Sequence, residues 1–143
     1  MRRILLLTII ISTVSASAQS TKDVLVGGGI DLIKTDISQV FYKAQMGAEG
    51  HFFVMRHFAV GVGGEYWTTG QRNSFMMGMR YYFTEKLFFR VRGLIGANEV
   101  ALGMGYSHPL TEMFRIEAMG DFYLINTDFA LRAGIAYVIR VRN

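Results

Sequence analysis

The feature that most constrains this chain is a strict alternation of apolar and polar side chains, with every charge kept to one parity. In Phe114-Arg115-Ile116-Glu117-Ala118-Met119-Gly120-Asp121-Phe122-Tyr123-Leu124, the residues Phe114, Ile116, Ala118, Phe122 and Leu124 share one side. Arg115, Glu117, Asp121 and Tyr123 share the other. Near the C-terminus, Phe129, Leu131, Ala133, Ile135, Tyr137, Ile139 and Val141 alternate with Arg132, Gly134, Ala136 and Arg140. A period of two sustained over ten or more residues is a β-strand whose two faces meet different surroundings.

Eight segments of this kind run near 23–33, 39–54, 58–68, 72–83, 87–96, 99–110, 114–125 and 127–141. No charge inside them falls on the apolar parity, and Asp31, Lys43, Glu49, Glu65, Arg80, Arg90, Arg92, Arg115, Glu117, Asp121 and Arg132 lie on the opposite one. Moving an Arg or Lys to a lipid-facing position at mid-depth costs roughly 2–4 kcal/mol, which gives the segregation an energetic reason. About ten residues at ~3.3 Å rise, tilted by ~40°, cover about 25 Å of apolar height. Aromatic residues on the apolar parity form two bands: Phe52, Phe58, Phe83, Phe89, Tyr106 and Phe114, and then Tyr42, Tyr66, Phe75, Phe122 and Phe129. Two aromatic bands flanking smaller apolar residues suit the two interfaces of a bilayer.

Three tight turns recur: Met55-Arg56-His57, Thr84-Glu85-Lys86 and Thr111-Glu112-Met113. Each precedes a large apolar residue with a glycine six positions later: Phe58 and Gly64, Leu87 and Gly93, Phe114 and Gly120. The unit repeats every 27–29 residues, the length of one hairpin. An open sheet of such hairpins would leave unpaired edges in lipid, so closure is required. The predicted fold is therefore an all-β, eight-stranded antiparallel up-and-down transmembrane barrel over 19–143. With both termini inside, the tight turns face the periplasm. The other connections, near 34–38, 68–72, 96–99 and 125–127, face outward and are short.

Residues 1–18 read as a cleavable signal peptide. Met1-Arg2-Arg3 is basic, Ile4 to Ile11 is apolar apart from Thr8, and Ala16-Ser17-Ala18 fits a small-x-small site before Gln19. The apolar run is too short for a transmembrane helix, which needs roughly 20 residues. Removing Arg2 and Arg3 leaves 15 − 2 = 13 basic residues against 11 acidic, so the +4 of the whole chain becomes +2. No basic stripe forms, and a nucleic-acid partner is not expected. The chain has no cysteine, which excludes disulfides and thiolate metal sites.

The pattern resembles the small eight-stranded outer-membrane barrels, the group that includes the outer-membrane protein A and X barrels. The resemblance covers 19–143 and is one of architecture. It implies an integral protein of the outer membrane of a Gram-negative bacterium, surrounded by outer-membrane lipids. It also implies assembly by the barrel-assembly machinery and a monomeric, non-catalytic state. Such barrels usually end in an aromatic residue, whereas here the last aromatic is Tyr137, followed by Val138-Ile139-Arg140-Val141-Arg142-Asn143.

An eight-stranded barrel is only wide enough to be filled by side chains, so its inward charges should pair. Arg90 and Arg92 are expected to cross the low wall of Ala101, Gly103, Gly105 and Ser107 to reach Glu117, with Glu49 and Arg80 joining the layer. Gly27-Gly28-Gly29 reads as a sharply curved first strand. His51, His57 and His108 lie toward the tight-turn end on different segments, without metal-ligand spacing. No cofactor is implied. The expected role is structural, with a narrow channel or small-solute or lipid binder as the alternative. A lipid A-modifying enzyme is disfavoured by the absence of an outward histidine. A soluble lipocalin-like barrel with the apolar parity inside is disfavoured by the two aromatic bands.

Overall fold

The computed structural model describes residues 21–34, 45–67 and 73–141. Eight strands follow one another: β1 (Val24–Lys34), β2 (Gln45–Met55), β3 (Phe58–Trp67), β4 (Ser74–Tyr82), β5 (Leu87–Ile95), β6 (Glu99–Pro109), β7 (Phe114–Tyr123) and β8 (Asp128–Ile139). Each pairs antiparallel with its sequence neighbours, and β1 pairs with β8 to close the barrel. Closure removes every free edge, so the backbone donors and acceptors of each strand meet a partner on both sides. The expected start of the second strand near 39, together with Lys43 and the signal segment, lies outside the described residues.

The alternation divides the wall as its chemistry demands. Val26, Val62, Met77, Met104, Phe122 and Ile135 point outward and are 41–65% exposed. The inward parity holds nearly all the buried charge. A soluble barrel would require the reverse, so the lipocalin-like alternative does not describe this fold.

The tight turns repeat in detail. Thr84 Oγ1 accepts hydrogen bonds from the Lys86 and Leu87 amides at 3.2 and 3.0 Å. Thr111 Oγ1 accepts from the Met113 and Phe114 amides at 3.3 and 2.9 Å. A threonine hydroxyl that satisfies two turn amides is a reason for Thr-Glu to recur at both places. At the opposite end the turns need unusual backbone. Gly96 has φ +112°, and a Cβ there would lie 2.7 Å from the Asn73 carbonyl oxygen.

The triple glycine differs from expectation. Gly27, Gly28 and Gly29 pair in unbroken register with both β2 and β8, and the irregularity between β1 and β8 falls later, between Asp31 and Ile33. No bulge falls at the glycines, and two of them make space. A Cβ on Gly29 would sit 3.0 Å from Arg132 Cδ, and one on Gly27 3.0 Å from the Ile135 carbonyl oxygen.

Glu99, buried at the mouth opposite the tight turns, holds the β7–β8 connection. Its carboxylate accepts from the amides of Val100, Ile125 and Asn126 at 3.1, 2.8 and 3.2 Å. Bonds from amides to an ionised carboxylate are the stronger kind. Glu99→Ala should therefore speed amide exchange at Ile125 and Asn126 about tenfold or more, while exchange in the middle of β6 and β7 stays unchanged. Hydrogen exchange of the refolded barrel measures this directly.

Candidate functional site

The lumen is the candidate site, and its geometry follows from which inward residues are large. Arg80 on β4, Arg90 and Arg92 on β5 and Arg132 on β8 face inward, as do Asp31, Glu49, Glu65, Glu117 and Asp121 from β1, β2, β3 and β7. Arg80, Arg90 and Arg92 are each only 1% exposed. Charges this deep must be paired, because an isolated ion in a low-dielectric interior costs several kcal/mol.

They pair as one alternating chain. Glu117 binds Arg80 at 2.9 Å, and Arg80 also binds Glu49. Glu49 lies 3.5 Å from Arg90, which binds Asp121. Asp121 Oδ2 is 2.7 Å from Arg92, which also binds Glu65. Glu65 lies 2.9 Å from Arg132, whose Nε lies 2.5 Å from Asp31 Oδ1. Each arginine thus serves two carboxylates. Seven of the eight links join strands that are not neighbours, and only Arg132–Asp31 joins an adjacent pair. The network ties distant parts of the wall together across the lumen.

Glycines make room for it. A Cβ on Gly78 would lie 3.4 Å from Arg92 Cγ, and one on Gly47 3.1 Å from Arg132 Nη1. On Gly103 a Cβ would run into the Asp121 carboxylate, and on Gly105 into the Phe88 ring. Small residues on one strand leave the volume that a long side chain from the next strand fills.

Apolar layers bracket the ions. Toward the tight turns, Leu25, Phe53, Ala59, Tyr82, Phe88, Met119, Ala136 and Val138 form a buried cluster. The Tyr82 ring lies 5.6 Å from Phe53 and 5.1 Å from Phe88, and Arg80 sits 4.8 Å above the Phe88 ring. Toward the other end, Met76, Leu94, Ala101, Tyr123 and Ala130 form a second cluster. Arg92 Nη2 donates to Tyr123 Oη at 3.2 Å, linking the ions to that layer.

Several expectations need correction. Arg90 and Arg92 do cross the low β6 wall, but their carboxylate there is Asp121, and Glu117 is taken by Arg80. The actual partner lies two inward positions farther from the turns, past the buried Met119. Arg115 faces inward without joining the chain: its Nε donates to Ser107 Oγ at 2.8 Å and its Nη2 to the Glu85 carbonyl at 2.6 Å. It ties β7 to the β4–β5 turn. His51 is buried next to Glu49 in sequence parity, whereas His57 and His108 are exposed, His108 stacked on Tyr106. The two apolar layers were not anticipated. Phe53, Tyr82 and Phe88 share the charged parity and sit beside the tight turns, and that combination was the available signal.

Comparison with solved structures bears on this geometry. A de novo designed transmembrane β-barrel superposes with a TM-score of 0.66 at 16% identity, covering 85% of this chain and 99% of the design. The fold is that of a transmembrane β-barrel. The N-terminal β-barrel domain of Pseudomonas aeruginosa OprF gives a TM-score of 0.66 at 12% identity, covering 85% of this chain and 100% of that domain. A second de novo design, TMB2.3, gives 0.55 at 18% identity over 88% of this chain and 99% of its own. No family model matches the sequence, and no curated protein does. Similarity at these identities concerns the fold alone, so the role of the lumen rests on its own residues.

Proposed function

We propose that the protein is a non-catalytic integral barrel of the bacterial outer membrane, with a structural role in the envelope and a lumen closed to solutes. The observation that carries this reading is the filled interior, an alternating ionic chain set between two apolar clusters. A water-filled passage would need a continuous polar lining, and here both ends of the ionic stretch meet packed aromatic or aliphatic side chains. The exposed apolar wall supports surrounding lipid. Residues 1–18 would act as the export signal, with the mature chain beginning at Gln19 and assembled as a monomer by the barrel-assembly machinery.

A narrow channel is the competing reading, favoured by the ionic character of the mid-lumen. Conductance separates the two. The mature chain refolded into planar bilayers should give flat traces at every holding potential. Discrete, reproducible current steps from the purified protein would overturn the closed-lumen reading and establish the channel.

A further inference from the structure

The outer wall is not uniformly filled. A groove of about 640 Å³ runs over β1 to β5 on the outward face. Its rows follow the strand register: Phe52, Val60 and Met79 are partners across β2, β3 and β4, and Gly50, Val62, Met77 and Gly93 form the next row. Gly50 and Gly93 make the floor. A Cβ at Gly50 would meet nothing within 4 Å, and one at Gly93 only the Met77 carbonyl oxygen at 3.9 Å. Among the described residues, none fills this space.

The rim below the groove carries cations. Lys22, Arg56 and His57 are exposed at the foot of β1 and in the β2–β3 turn, whereas Asp23, which follows Lys22, is buried; among the described residues neither Lys22 nor Arg56 forms an ion pair. Elsewhere on this rim the charges are mixed. Glu85 adjoins Lys86, and Glu112 lies 3.5 Å from Arg140. Lys22 also has an unusual backbone, φ +78°, and its amide donates to the Phe53 carbonyl at 2.9 Å. A left-handed lysine is uncommon, and this one is held against β2 at the edge of the cationic sector.

We infer that this sector is a binding site for an anionic phospholipid, with an acyl chain in the Gly50–Gly93 groove and the phosphate at Lys22 and Arg56. Gly50 and Arg56 are six residues apart, about 20 Å along a strand. That distance matches an extended acyl chain hanging from a headgroup at the turn. The groove accounts for the chain, and the exposed cations, with the nearest carboxylate buried, account for the headgroup's sign. The inference rests on the membrane reading above and adds a choice of lipid to it.

The test uses the mature chain, refolded, checked for insertion by heat-modifiability, and offered dioleoyl phosphatidylglycerol or dioleoyl phosphatidylcholine in detergent. Native mass spectrometry counts the lipid retained. Phosphatidylglycerol should be retained over phosphatidylcholine by on the order of tenfold, the size expected from two surface cations. Lys22→Glu combined with Arg56→Glu should erase that preference. Gly50→Leu combined with Gly93→Leu should lower retention of both lipids, because leucine side chains occupy the groove. Equal retention of the two lipids by the unaltered barrel, or a preference that survives charge reversal, overturns the site while leaving the membrane reading in place. A chain that fails to insert removes both.

Discussion

Asp121→Ala should destabilise the barrel by about 3–5 kcal/mol, the penalty of leaving buried ions without their partner. Asp121 is fully buried and receives both Arg90 and Arg92. Truncating it strips a carboxylate from two guanidinium groups at once. Arg90 then keeps only Glu49 at 3.5 Å, and Arg92 keeps Glu65. Urea unfolding in lipid vesicles, followed by heat-modifiability and by the fluorescence of Trp67, the single tryptophan, would report the loss. Asp121→Asn should fall between, since it can still accept hydrogen bonds. Adding Arg90→Met to Asp121→Ala should recover part of the stability, because an apolar side chain removes the orphaned charge; residues in one network do not add independently. The exposed Arg140–Glu112 pair provides the control, and Glu112→Ala should change stability by no more than about 1 kcal/mol.

Val62→Arg should cost roughly 2–4 kcal/mol in a bilayer. Val62 sits mid-strand on β3, 52% exposed, with Gly50 and Met77 as its register partners. In water an exposed Val→Arg change is nearly neutral, so the penalty exists only if that face meets hydrocarbon. The same substitution at Met104, 60% exposed on β6, should behave alike, because the apolar outward parity continues around the barrel. Measured in vesicles by urea titration, a cost at both positions would mark lipid contact on opposite sides of the wall.

These two substitutions probe different parts of what was legible beforehand. The outer wall could be read directly, because a two-residue period on a half-apolar strand assigns each side chain to a face without knowledge of the partner strand. Strand number and the positions of the tight turns followed from the same periodicity. The lumen was harder. Parity shows that Arg80, Arg90, Arg92 and Asp121 point inward, but it does not show how far the strands are sheared against each other. That stagger sets the depth at which side chains from β4, β5 and β7 meet. Counting from the turns alone therefore matches Arg90 and Arg92 with Glu117, two inward positions from their actual partner. Arg80 reaches Glu117 from three strands away, a contact invisible to any local pattern. The packing role of the glycines is hidden for a related reason. Gly27–Gly29 reads as a curved strand, and at Gly29 the missing Cβ is also space for an arginine arriving from β8.

The eight buried ion pairs among the described residues should not be read as eight increments of stability. Desolvating each ion offsets most of what its pairing returns, and a well-packed apolar filling could be equally stable. What the chain supplies is placement. Because its links skip across the lumen, a slip of one strand by a single residue would turn that strand's charges toward lipid and break links on distant strands together. The network therefore acts as a check on register as much as a filler.

Site-directed spin labelling on β6 tests the central assignment of faces most directly. The chain has no cysteine, so a single introduced one carries the label without competition. Labels at Leu102 and Met104 in reconstituted vesicles should collide freely with oxygen, which concentrates in lipid, and rarely with a water-soluble nickel chelate. A label at Ser107, fully buried in the lumen, should be shielded from both. High nickel access with low oxygen access at Leu102 and Met104 would contradict the account, since it would put water where hydrocarbon is predicted.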